Sequence, residues 1–197
     1  MDETGRAPGA GRRRPARERV LDAAALRFYR DGVAATGIDT ITTEAGVAKM
    51  SLYNNFSSKA ELVRAYLDAR HEEWLDQYRS RLQRAEGPRD AVLAVFDTYL
   101  DSAAGEGFRG CGLLNAAAEM PAGDEGRALV RRHKEEVERL IAGHTAALSP
   151  ERPDAARAAA EHLAFLLEGA MTRAGLEGDS TRLRHARALA VGLLDQL

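Results

Sequence analysis

The stretch AGVAKMSLYNNFSSKAEL, from Ala45 to Leu62, holds the residues whose types and spacing point most directly to chemistry. On a short helix, Lys49, Met50, Ser51, Asn54 and Asn55 fall on the outward side and offer an ammonium, an apolar tip, a hydroxyl and two amides. These are the groups that meet base edges and phosphates in a major groove. Tyr53 adds a ring and a hydroxyl within reach of a nucleic-acid backbone. Catalysis has no comparable set. The sequence has no nucleophile elbow, no phosphate-cradling glycine loop and no evident carboxylate pair, and its five histidines form no His/Glu motif at ligand spacing. No enzymatic activity, metal or cofactor is therefore expected.

A recognition helix needs a partner helix and a turn to hold it. With Gly46 taking the left-handed turn, Ile41, Ala45, Val47 and Leu52 fall on the inward positions of a helix-turn-helix spanning about 37–56. Around it, apolar residues recur at helical spacing along the whole chain, without the alternation of a strand. Helix one runs from Ala16 to Arg30 and stops at Gly32, helix two covers Asp39–Ala45, and helix three covers Lys49–Asn55. Ser58 and Glu61 form a capping-box pattern that opens a long fourth helix through Trp74 and Tyr78. Further helices begin at Pro88, near Cys111, and at Glu125, Pro153 and Thr181, the last running to Leu197. The fold class is all-α, with about nine helices.

At 197 residues and 45% apolar composition the chain can bury a substantial core. It has no apolar run long enough to span a bilayer and no apolar leader, so a cytoplasmic protein without a membrane partner is expected. Cys111 is the single cysteine, which excludes an intramolecular disulfide. The net charge of −2 hides an asymmetry: residues 1–60 carry ten Lys+Arg against seven Asp+Glu, and residues 61–197 carry 18 against 23. The cationic part is N-terminal. Residues 1–13 read as a disordered basic tail, and Arg12, Arg13 and Arg14 either touch phosphates or are merely solvated.

The run RERVLDAAALRFYRDGVAATGIDTITTEAGVAKMSLYNNFSSKAELVRAYL resembles the DNA-binding domain of the tetracycline-repressor (TetR) family, through its AGV turn and its LYxxFxSKxxL spacing. The resemblance covers 14–74 and leaves 75–197 as a helical effector-binding and dimerisation domain. It implies that Thr40 and Tyr53 contact phosphates, that Lys49, Met50, Ser51 and Asn54 approach bases, that Lys59 binds phosphate and that Phe56 is core. Thr42, Gly37 and Met50 depart from the family's usual residues, and Met50 puts the operator preference in doubt.

One helix-turn-helix covers a half-site, so a homodimer on double-stranded operator DNA is expected. The two last helices offer the surface: LAFLLEGAM is apolar around its circumference, and Leu183, Ala186, Leu189, Ala190, Leu193, Leu194 and Leu197 make a stripe. They either build an intersubunit four-helix bundle or complete a monomeric core. The family resemblance further implies a small-molecule effector of unknown identity and a repressor released by it. Trp74, Phe96, Tyr99, Cys111, Asn115 and His133 are the candidate pocket residues. Cys111, Asn115 and Glu119, four apart in turn, share one face of a helix. A rival reading makes Cys111 a thiol sensor of oxidants or electrophiles, although its flanking glycines favour a packed, inert thiol.

Overall fold

The computed structural model describes residues 14–105 and 107–197, and these form nine helices and no strand. The expected disordered tail, with Arg12 and Arg13, lies outside the described residues. Arg14 is described, and it turns back along the first helix to pair with Glu18 and Asp22.

The first three helices are α1 (Ala16–Asp31), α2 (Ile38–Ala45) and α3 (Lys49–Tyr53). Gly32 ends α1 at φ +94°. Gly46 ends α2 in the left-handed region at φ 60°, where its N–H reaches back to the carbonyls of Thr42 and Thr43. A Cβ there would carry conformational strain, which explains the glycine. The sequence does not announce what else fastens this turn. Arg19 of α1 donates through Nη1 to the carbonyls of Ala45 and Gly46, at 2.9 and 3.0 Å. α3 is shorter than expected: the Asn55 amide folds back onto the Ser51 carbonyl at 2.7 Å, so Asn55 closes the helix instead of facing outward.

α4 (Lys59–Leu82) opens as its capping pattern requires, with Ser58 Oγ accepting from Glu61 N–H at 3.1 Å. The return half differs, since the Glu61 carboxylate accepts from Ser57 N–H at 2.7 Å rather than from Ser58. α5 (Pro88–Ser102) starts with proline in the first turn, where no intrahelical donor is lost. It is buried on nearly every side, at Ala91 through Phe96 and at Thr98 and Tyr99, because α4, α7 and α9 surround it. α6 (Gly112–Ala118) is short, and α7 (Glu125–Leu148), α8 (Pro153–Glu177) and α9 (Thr181–Leu194) are stacked in series.

Two apolar clusters result, and α4 contributes to both. One joins Phe28, Ile41, Leu52, Phe56 and the first half of α4 with Leu113 of α6 and Leu129 of α7. The other begins at Trp74 and Tyr78 and takes in α5, Ile141, Leu163, Leu167 and Leu183. Within the single chain α8 buries one side. Leu163, Leu167, Met171 and Ala174 face inward, whereas Phe165 and Leu176 are 67% and 79% exposed, and Leu189 of α9 is 60% exposed.

Candidate DNA-binding face and interior cavity

The helix-turn-helix places its side chains by a simple division. Ile41 and Leu52 are fully buried and Val47 is half-buried, so the remaining positions of α3 turn outward. Lys49, Met50, Tyr53 and Asn54 are exposed and Ser51 is half-buried; Met50, at 71%, is unusually open for an apolar side chain. Thr40 is exposed in the first turn of α2, and Lys59 is half-buried in the first turn of α4, where helix N–H groups add to its charge. Phe56 is buried at 1% under the Arg17 guanidinium, 5.1 Å from its ring centroid. Lys49 is not free: its ammonium lies 2.9 Å from Asp39 of α2, and the hydrogen bond and charge of that carboxylate raise its pKa.

Four of the six candidate pocket residues, Trp74, Tyr99, Cys111 and His133, line one chamber of about 40 Å³ between α4, α5 and α7. The other two do not belong to it. Phe96 is fully buried within the larger apolar cluster. Asn115 donates its amide to the Arg109 carbonyl at 2.8 Å and so pins the segment before α6. Cys111 is half-buried and lines the chamber rather than being packed away between its glycines. Glu119, on the same face, receives the N–H groups of Val33 and Ala34 at 3.1 and 2.6 Å, tying the end of α6 to the end of α1.

The chamber is built of rings. Trp74 stacks on Tyr78 with centroids 5.6 Å apart and planes 7° apart, and His133 meets Trp74 edge-on at 5.4 Å. A hydrogen-bonded chain runs behind them. Lys134 Nζ lies 3.5 Å from the Tyr99 hydroxyl, and an ammonium can only donate, which leaves the Tyr99 proton for His133 Nε2 at 3.3 Å. His133 then holds its proton on Nδ1 and donates to His71 Nδ1 at 2.9 Å. Burial, with the nearby Lys134 and His71, pushes His133 down to about 3, so the imidazole is neutral. Burial likewise pushes the Tyr99 hydroxyl up. Lys134 keeps its charge through a 2.8 Å ion pair with Glu168 of α8. Sequence reading missed His71, although His71, Trp74 and Tyr78 recur at helical spacing on one face of α4. It also missed Lys134 and Glu168, whose pairing across α7 and α8 leaves no local signal. No cluster of three or more potential metal ligands occurs among the described residues.

A short exposed helix held by a glycine turn on a buried partner, followed by a longer helical unit with an interior chamber, defines a helix-turn-helix DNA-binding regulator of transcription. Residues 20–66 match the family described as bacterial regulatory proteins, tetR family. The fold is similar to that of SCO4454, a TetR-family transcriptional regulator from Streptomyces coelicolor, with 31% identity and a TM-score of 0.84 over 92% of this chain and 95% of that one. The transcriptional regulator TtgR of Pseudomonas putida is 45% identical over 56 residues, 28% of this chain and 27% of that protein. The transcriptional activator FasR of Mycolicibacterium smegmatis is 35% identical over 94 residues, 46% and 43% of the two chains. The chain thus matches less than half the length of either curated relative, and the likeness to SCO4454 carries the remainder. The chain belongs to the TetR family of transcriptional regulators. Among the described residues no helix is long and apolar enough to cross a membrane.

Proposed function

We propose that the protein is a ligand-responsive repressor that binds a palindromic operator as a homodimer, with 14–74 as its DNA-binding unit and 75–197 as its effector-binding and dimerisation unit. The observation that carries the reading is the continuity of α4. One helix of 24 residues bears Lys59 at the DNA-facing end and Trp74 in the chamber wall. A molecule that displaces the chamber end of such a rod changes the position of the helix-turn-helix, and only one spacing of two recognition helices fits an operator. Lys59, Thr40 and Tyr53 contact phosphates in this reading, and Lys49, Met50, Ser51 and Asn54 reach bases after Lys49 exchanges Asp39 for DNA. Exposed Phe165, Leu176 and Leu189 form the surface that a second copy covers, giving a bundle of four helices.

The test is a mobility shift of the full chain on the DNA flanking its own gene, across a salt series. A saturable, competitor-resistant shift with two chains per operator is expected. Binding that random DNA abolishes equally, or a one-chain complex, contradicts it. A second reading is favoured by one observation, the exposure of Cys111 to the chamber: its thiol, rather than a reversible ligand, receives the signal. Cys111→Ser then abolishes the response of DNA binding to an electrophile, and an unchanged response rejects that reading.

A further inference from the structure

Three buried side-chain polar atoms lack a hydrogen-bond partner among the described residues: Arg19 Nε, Tyr66 Oη and Trp74 Nε1. Two of the three belong to residues lining adjoining hollows. Trp74 lines the small chamber, and Tyr66 lines a cleft of about 260 Å³ between α1, α4 and the chain around Gly105, Phe108 and Gly110. The two hollows share Arg70, Ser102 and Gly110, so they meet at these residues. Buried polar groups are nearly always satisfied, and two orphans on one joined hollow mark where their partners enter.

We propose that this cleft, outside the Trp74–His133 chamber, is a binding site for an apolar molecule carrying an acceptor oxygen, a carbonyl or a carboxylate. Size decides against the chamber as the seat of the molecule. At about 40 Å³ it holds a few waters, since each takes roughly 10–15 Å³ on this measure, whereas an apolar hollow of about 150 Å³ already holds benzene. The cleft exceeds that volume and has room for a ring and a short chain.

Its walls set the chemistry. Ala25, Leu26 and Phe108 are apolar, the Arg70 guanidinium has N–H groups to spare, and the Tyr66 hydroxyl and Trp74 N–H are unpartnered donors buried behind the walls, which an occupant reaches by shifting them. Two of the nearby acceptors already hold a donor. Gly110 carbonyl receives the Tyr29 hydroxyl at 3.2 Å, and Glu73, which lines the chamber side, receives Arg70 at 2.5 Å. Burial pushes the Tyr66 hydroxyl up to about 12, so it stays protonated and can donate. An occupant would touch α1 and α4 at once, beside the segment leading to α6. Its regulatory consequence rests on the ligand-responsive reading above; the binding itself does not.

Trp74 is the chain's single tryptophan and reports from the adjoining chamber. Its fluorescence in the full chain should be titrated with 4-phenylbutyrate, 4-phenyl-2-butanone and n-butylbenzene, and each affinity confirmed by calorimetry. The acid or the ketone is expected to bind, and the hydrocarbon about tenfold more weakly for want of the hydrogen bond. Tyr66→Phe should raise the melting temperature of the free protein, by removing an orphan hydroxyl, and weaken the oxygen-bearing probe about tenfold. Leu26→Glu, at a half-exposed position of the cleft wall, should weaken all three. The proposal is overturned if no probe binds, if the hydrocarbon binds as well as the others, or if neither substitution changes affinity. An operator mobility shift run with the same probes separates the two readings. Tyr66-dependent binding that leaves DNA affinity unchanged keeps the cleft and refutes its place in a ligand-responsive repressor. DNA release that is insensitive to both substitutions keeps the repressor and refutes the cleft.

Discussion

A neutral histidine held between a tyrosine and a second histidine makes stability depend on pH in a calculable way. His133 is 1% exposed and its pKa is pushed down to about 3 from 6.5, with burial the largest cause. Between those values the unfolded chain binds a proton at this position that the folded chain refuses, so stability is complete above about pH 6.5 and falls as pH falls toward 3. The slope is about 1.4 kcal/mol per pH unit once the unfolded histidine is mostly protonated, and at pH 5 the loss is about 2 kcal/mol. His133→Gln is the informative change, because its amide can accept from Tyr99 and donate to His71 while carrying no titrating group. Urea unfolding of both proteins, at one protein concentration and at pH 7.5 and 5, isolates the residue. The wild-type advantage over the variant should shrink by about 2 kcal/mol at the lower pH, equivalent to roughly 4–8 °C in melting temperature for a chain of this size. A gap of constant size at the two pH values would mean that His133 can protonate in place, and the hydrogen-bonded chain from Lys134 to His71 would be refuted.

Other consequences are simpler to state. Lys59→Ala should weaken binding to every DNA sequence and lower the salt slope by about one, whereas Asn54→Ala should mainly relax specificity; equal losses on operator and random DNA for both would contradict the assigned roles. Asp39→Asn releases Lys49 and removes an anion beside the DNA, so non-specific affinity should rise, most at low salt in mobility shifts. Gly46→Ala should cost about 1–2 kcal/mol from backbone strain alone, since its Cβ would meet only Arg19 Nη1 at 3.6 Å; an unchanged melting temperature would show that the turn has another conformation. Phe165→Glu together with Leu189→Glu should yield a folded monomer in size-exclusion chromatography with light scattering, and an intact dimer would place the interface elsewhere.

The parts of the fold legible in the sequence are those governed by neighbours along the chain. Gly46 in its left-handed turn, Ser58 as a cap, and Pro88 and Pro153 in first turns all state local backbone requirements, and each sits where its chemistry places it. Contacts between distant residues had no such voice. Nothing adjacent to Arg19 indicates that it clasps the Ala45 and Gly46 carbonyls, and Glu119 finds Val33 and Ala34 across 85 or 86 positions. Periodicity marked the apolar faces of α8 and α9 but not what covers them, which is why these helices read equally as a dimer surface or a core until packing left Phe165 and Leu189 exposed in the single chain. The same limit explains Phe96. An aromatic at helical spacing is equally suited to a wall or to an interior, and α5 is surrounded, so Phe96 became interior.

The division of labour along α4 follows from these contacts. Its first half packs with α1, α2 and α3 through Leu62, Val63, Tyr66 and Leu67, and its second half packs with α5 through Trp74 and Tyr78. From Lys59 to Trp74 is about 22 Å at 1.5 Å per residue, so a tilt of roughly 5° about the chamber end carries the DNA-facing end about 2 Å. α4 is not the sole connection, because Glu119 grips the end of α1 and Tyr29 bonds the chain at Arg109 and Gly110. Any movement of α1 must therefore carry α6 with it or break these bonds, and both helices pack on α4. In the proposed repressor the junction of α1, α4 and α6 moves as one body, which makes the cleft beside Tyr66 a place where a small molecule acts on all three.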